Sequence, residues 1–147
     1  MTATVQQQLM DAVQAALVAA TTLAGANVHA DRPDDLPMPE VPALLLEGGD
    51  EAITLVDHGV TLQQRDWQVH ISAMATTPAT ARELAGQVEA ALFASALGQP
   101  NGVPCKSLVL EGSKPAASGA LQQRLHEQRQ LWRLTYFTQG GQPYTPL

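Results

Sequence analysis

Hydrophobic and polar residues alternate from Asp66 to Ala73, and then the period changes. Trp67, Val69, Ile71 and Ala73 fall on one side, with Asp66, Gln68, His70 and Ser72 on the other, which predicts a half-buried strand over 65–76. Beyond it Ala81, Leu84, Ala85, Val88, Ala91, Leu92 and Ser95 recur every three or four residues, as on an amphipathic helix over 81–96. Thr77-Pro78 marks the change, since Thr caps free amides and Pro suits a first helical turn. Thr80 with Glu83 offers a competing capping box one turn later. A long strand therefore feeds a helix that folds back over its apolar side, and the rest of the chain is expected to pack on this unit.

The same reading extends to both sides. Val5, Leu9, Val13, Ala16, Leu17, Ala20 and Leu23 trace the core stripe of a helix over 4–24, capped by Thr2 or Thr4 and stopped at Gly25. Val28–Ala30 is a short extended piece. Four prolines from Asp31 to Pro42 (Pro33, Pro37, Pro39 and Pro42) exclude helix and interior strand alike. Residues 43–46 form a continuous apolar run, the pattern of a strand covered on both faces, and Gly48-Gly49 predicts a bulge or bend. Extended character resumes at Ile53–Val56, and Asp57-His58-Gly59 is a turn signal. Residues 43–75 thus read as one long hairpin with its tip around 50–63. After the second helix come a loop at 98–102, a strand at 107–110, a loop at 112–119 with Gly, Ser and Pro115, and an ambiguous stretch at 120–130. Trp132, Leu134 and Tyr136 share one side of a last strand over 131–138, and Gly140–Leu147 reads as a flexible tail.

The expected fold class is α/β of the α+β type. It has two layers: a mainly antiparallel sheet from residues 43–47, 65–76, 107–110 and 131–138, with both helices on one face and a protruding hairpin. At 147 residues, 45% hydrophobic and 15% charged, the chain reads as one globular domain. Aromatics make up only 4%, too few for a single-strand nucleic-acid surface built on base stacking. Neither a signal-type start nor a bilayer-length apolar run is present, so a cytoplasmic origin and no membrane are expected.

Charge is unevenly spread along the chain. Residues 31–57 hold eight acids against Arg32, a net of −7, whereas 101–147 hold five bases against Glu111 and Glu127, a net of +3. These windows are either solvated loops or two faces of opposite sign that meet in an assembly.

No chemistry assembles from the motifs. Phosphate loops, nucleophile elbows, His-Glu-x-x-His and EF-hand patterns are missing, and the four histidines stand far apart. Asp57-His58 is an acid–imidazole pair in a turn, His70 lies on the polar side of the central strand, and Asp31, Asp34 and Asp35 match no calcium loop. Cys105, the sole cysteine, reads as a small apolar filler. Trp67 and Trp132 read as core anchors. No catalytic residue, cofactor or metal is expected.

The order of these features resembles the tail terminators of tailed bacteriophages, the family of lambda's minor tail protein U. The resemblance runs over roughly residues 5–138. It comprises the first helix, Asp31-Arg32-Pro33, the run Pro42-Ala43-Leu44-Leu45-Leu46-Glu47, and the strand Asp66-Trp67-Gln68-Val69-His70-Ile71. The second helix and Trp132-Arg133-Leu134-Thr135-Tyr136 complete it. It implies a six-subunit ring that caps the tail tube, ends its polymerisation and presents the head-joining surface, with no covalent chemistry. The implied partners are further copies of the chain, the tube protein and a head–tail connector, with DNA passing through the channel without specific binding. The implied location is the virion neck, with the host cytoplasm during assembly. Contractile injection particles use similar caps. Another neck, tail-completion or tube protein, and a small cytosolic enzyme or ligand-binding domain, are the alternative readings.

A ring requires one patch to meet a different patch on the next subunit. Asp34, Asp35 and Asp50 are expected to approach Arg124, Arg129 and Arg133 across that boundary, or else the acids line the channel. Ile53, Leu55, Val60 and Leu62 lie too far along the hairpin to reach their own core, and are expected to be covered by a partner. Tyr144 in the tail is a further candidate contact.

Overall fold

The structure, a computed structural model, describes residues 4–20, 22–32, 40–56, 61–95, 97, 105–120 and 123–143. Its elements are helix α1 (Val5–Ala19), strands β1 (Val28–Ala30), β2 (Ala43–Leu55) and β3 (Leu62–Ala75), helix α2 (Pro78–Ala94), and strands β4 (Ser107–Ala120) and β5 (Gln123–Gln139). The five strands form one mixed sheet in the order β1-β2-β3-β5-β4. Only the β1–β2 pair is parallel. This is the expected α+β arrangement.

Both helices begin on threonine caps. Thr4 Oγ1 accepts from Gln7 N at 3.1 Å, and Thr77 Oγ1 accepts from Thr80 N at 3.2 Å, so the earlier of the two candidate starts holds for α2. The first helix is shorter than its periodicity implied. It stops at Ala19, and Gly25 serves instead in a following turn, at φ 57°.

Trp67, Val69, Ile71 and Ala73 of β3 join Val5, Leu9, Val13 and Leu17 of α1 and Leu84, Ala85, Val88 and Leu92 of α2 in one core. Both helices therefore cover the same sheet face. Trp132 is fully enclosed there, with its ring centroid 5.5 Å from that of Phe93. Gln130 bridges the layers: its Nε2 donates to the Ala85 carbonyl at 3.0 Å, and its Oε1 accepts from Trp132 Nε1 at 3.0 Å.

Two expectations need correction. Residues 112–119 are not a loop but the greater part of β4, and the ambiguous 120–130 stretch contributes the start of β5. β4 is an outer strand, where Pro115 and Gly112 are tolerated because one side of the ladder needs no partner. A second long hairpin results, with a register shift between Leu110 and Gly112.

Candidate functional site

The β2–β3 hairpin extends past the core as expected, but it is not two-stranded. β5 pairs with β3 out to Leu62↔Gln139, which makes the arm a three-stranded sheet. Its base is set by the glycine pair. Gly49 and Asp50 together oppose Gln68, two residues against one, and the register resumes at Glu51↔Trp67. Gly48 has no room for a side chain, and Gly49 little. A β-carbon at Gly48 would meet Trp67 Cζ2 at 2.9 Å, and one at Gly49 would meet His70 Nε2 at 3.1 Å. Asp31 holds the bulge from outside: at φ 48°, its carboxylate accepts from Gly48 N at 3.2 Å while its own N donates to the Leu46 carbonyl at 2.8 Å.

A polar cluster adjoins the apolar core at the base of the arm, where Tyr136 belongs to both. Arg65 Nη1 donates to Glu51 Oε2 at 3.0 Å, its Nε to Thr138 Oγ1 at 2.9 Å, and its Nη2 to Gln63 Oε1 at 3.1 Å. Tyr136 donates its hydroxyl to the other oxygen of Glu51. One guanidinium thus ties β2, β3 and β5 together, with both charged side chains only 15–16% exposed. Burial, and then the bond to Glu51 and its charge, push the Tyr136 hydroxyl far above the ordinary tyrosine range. Sequence reasoning missed this cluster. Its members are ordinary polar residues in sequence, and only the cross-strand register assembles them.

On the β2 side the arm is bare. Ile53 and Leu55 are 51% and 53% exposed and share one face, and Val56 is 49% exposed. Leu62 is half-buried opposite Gln139. Asp50 is exposed in the bulge. Arg129 and Arg133 lie on the sheet face turned from the helices, in ion pairs with Glu127 (3.2 Å) and Glu111 (3.8 Å) of their own chain. For Arg124 the structure gives its backbone place opposite Gly119. Asp34, Asp35, Val60 and Tyr144 lie outside the described residues, as does the Asp57-His58-Gly59 turn. The start of the tail is tied down: Gly140 N donates to the Thr61 carbonyl at 2.7 Å, and Val5 N to the Pro143 carbonyl at 2.8 Å.

Burial pushes the Cys105 thiol up, and its Sγ donates to the Ser107 carbonyl at 3.2 Å, which leaves it a poor nucleophile. Among the described residues no group of three His, Cys, Asp or Glu side chains is placed to hold a metal, and no helix is long and apolar enough to cross a membrane.

No protein-family model matches the chain. No curated protein matches it either. Among solved structures, it is similar to a chain in the virion of a native gene transfer agent particle, at 23% identity and a TM-score of 0.49, with 93% of this chain and 92% of that chain covered. A score of that size does not carry a functional assignment.

Proposed function

We propose that this chain is a structural subunit of a phage-type particle. In this reading it closes a ring of six on the end of a tail tube, stops the tube's growth and offers the surface to which the head is joined. The observation that carries the reading is the arm. The outer part of β2, braced by the Arg65–Glu51 pair, leaves Ile53, Leu55 and Val56 without cover from the described residues. A free subunit gains nothing from exposed apolar groups on a braced strand; a neighbouring subunit seated on them does. The order of elements also agrees with the resemblance to tail terminators read from the sequence.

The work of such a protein is shape and complementary surface, with no covalent step. Its partners would be copies of itself, the tube protein and a head–tail connector, with DNA passing through the channel unbound. Its place would be the neck of the particle, after assembly in the host cytoplasm. Acids of the 31–57 window would face the arginines of β5 in the next subunit. Exposed pairs contribute roughly 0–1 kcal/mol each, so apolar burial supplies the affinity and charge sets the register.

Electron microscopy of particles made without this chain tests the proposal. Overlong tubes without heads are expected. Tubes of ordinary length that merely lack heads would mark a neck-completion protein, and the loss of tubes altogether a tube subunit.

A further inference from the structure

The sheet face turned from the helices carries acids at its β2 side and, at its β4 side, Lys114 beside Arg129 and Arg133, the two arginines paired with Glu127 and Glu111. Glu47 of β2, His70 of β3, Leu131 of β5 and Gly112 of β4 occupy one row across it, and Arg129 of β5 with Lys114 of β4 a neighbouring row. The β2 end carries exposed Glu47 and Asp50, and the β4 end carries exposed Lys114 and half-exposed Arg129. At the basic end, where Gly112 places no side chain, lies a depression of about 390 Å³ lined by His70, Gly112, Ser113, Lys114, Arg129 and Leu131.

Its cations are available. Arg129 gives Glu127 its Nε, so among the described residues its terminal nitrogens are unpaired, and Lys114 has no ion pair. An apolar floor under two cations suits a carboxylate on a short stem. Asp50 is such a group, set outside the ladder by the bulge. It cannot serve its own chain: β3 and β5 separate β2 from β4, a distance of about 14 Å at the usual ladder spacing.

We propose that Asp50 of one copy seats its carboxylate between Lys114 and Arg129 of the adjoining copy, in the depression that Gly112 leaves open. The inference rests on the ring reading. The contact joins two different patches, so it repeats head-to-tail, the type of contact that a closed ring requires. Gly112 is needed there for the space it leaves rather than for its backbone, because an added β-carbon would meet nothing within 4 Å.

The test uses the purified full chain, with native mass spectrometry and sedimentation at low and high salt. Asp50→Lys is expected to lower the ring population at least tenfold at low salt with unchanged thermal unfolding, and the pair Lys114→Glu with Arg129→Glu to lower it as much with a small loss of thermal stability, because Glu127 loses its partner. Gly112→Leu is expected to do the same by filling the depression. Mixing the two charge variants is expected to restore rings in which they alternate, which a ring of six permits and which damage to folding would not produce. Charge variants or Gly112→Leu that assemble as the unaltered chain does, or a mixture that stays dissociated, would overturn the inference and leave the ring reading standing. An unaltered chain that remains monomeric at every concentration would overturn both.

Discussion

Gly48 of β2 faces the indole of Trp67 so closely that a β-carbon at position 48 would stand 2.9 Å from Cζ2. Trp67 is 3% exposed and held in the core, so its ring has nowhere to retreat. Gly48→Ala is therefore expected to destabilise the chain by about 1–3 kcal/mol, the usual cost of overpacking. Chemical denaturation reads the effect. Gly112→Ala, where the added carbon meets nothing, is the control and should change stability by less than about 1 kcal/mol.

The Arg65 cluster should behave as one unit. Arg65→Met leaves the Glu51 side chain short of its partner, and is expected to cost about 1–3 kcal/mol. Arg65→Met and Thr138→Val should be non-additive in a double-mutant cycle, because they share the Arg65 Nε bond.

Tyr136 gives that cluster a signature in pH. The folded state holds the hydroxyl proton beyond the ordinary value of 10.0. The resulting stabilisation is fully present below that pH and is lost as pH rises above it, where the unfolded chain releases the proton first. Stability of the unaltered chain is thus expected to fall more steeply above about pH 10 than that of Tyr136→Phe. Parallel slopes in the two unfolding series would contradict the placement of Tyr136 against Glu51.

Gln130 is 3% exposed and serves both a helix carbonyl and an indole. Gln130→Leu removes the acceptor of Trp132 Nε1 and is expected to cost about 1–3 kcal/mol. A red or blue shift in Trp132 fluorescence should accompany the loss. Stability unchanged within about 0.5 kcal/mol would argue against the bridge.

The exposed strip of the arm should matter to assembly and not to folding. Ile53→Asp with Leu55→Asp changes two side chains that are more than half exposed, so thermal unfolding of the free subunit should move little. Burial of such side chains by a partner contributes about 1.5–3 kcal/mol each, so self-association is expected to weaken by at least tenfold. Sedimentation equilibrium measures it.

Much of this architecture could be read along the chain, because alternation and helical period report which side of an element is buried. The strand at 65–76, the threonine starts of both helices and the Gly48-Gly49 bulge are of that kind. Residues 112–119 were hidden because Gly, Ser and Pro signal loops, and the same residues are tolerated on an outer strand whose free side needs no hydrogen bonds. The third strand of the arm and the Arg65–Glu51–Tyr136 cluster were hidden for a different reason. They depend on register between segments some 70 residues apart, and nothing local to Arg65 announces Thr138 as its partner. Ile53, Leu55 and Asp50, whose contact with a neighbour is the proposal made above, were legible as exposed positions, which hydrophobicity and charge single out. The depression beside Lys114 was not, since it is made by what Gly112 lacks.

The central claim, that this chain works as a ring at one end of a tail tube, is tested most directly by locating it in assembled particles. A small electron-dense tag on the chain, imaged in whole particles, should appear once per tube, at the end joined to the head, with about six copies in the ring. Tag density along the whole tube, or at the end far from the head, would contradict the account.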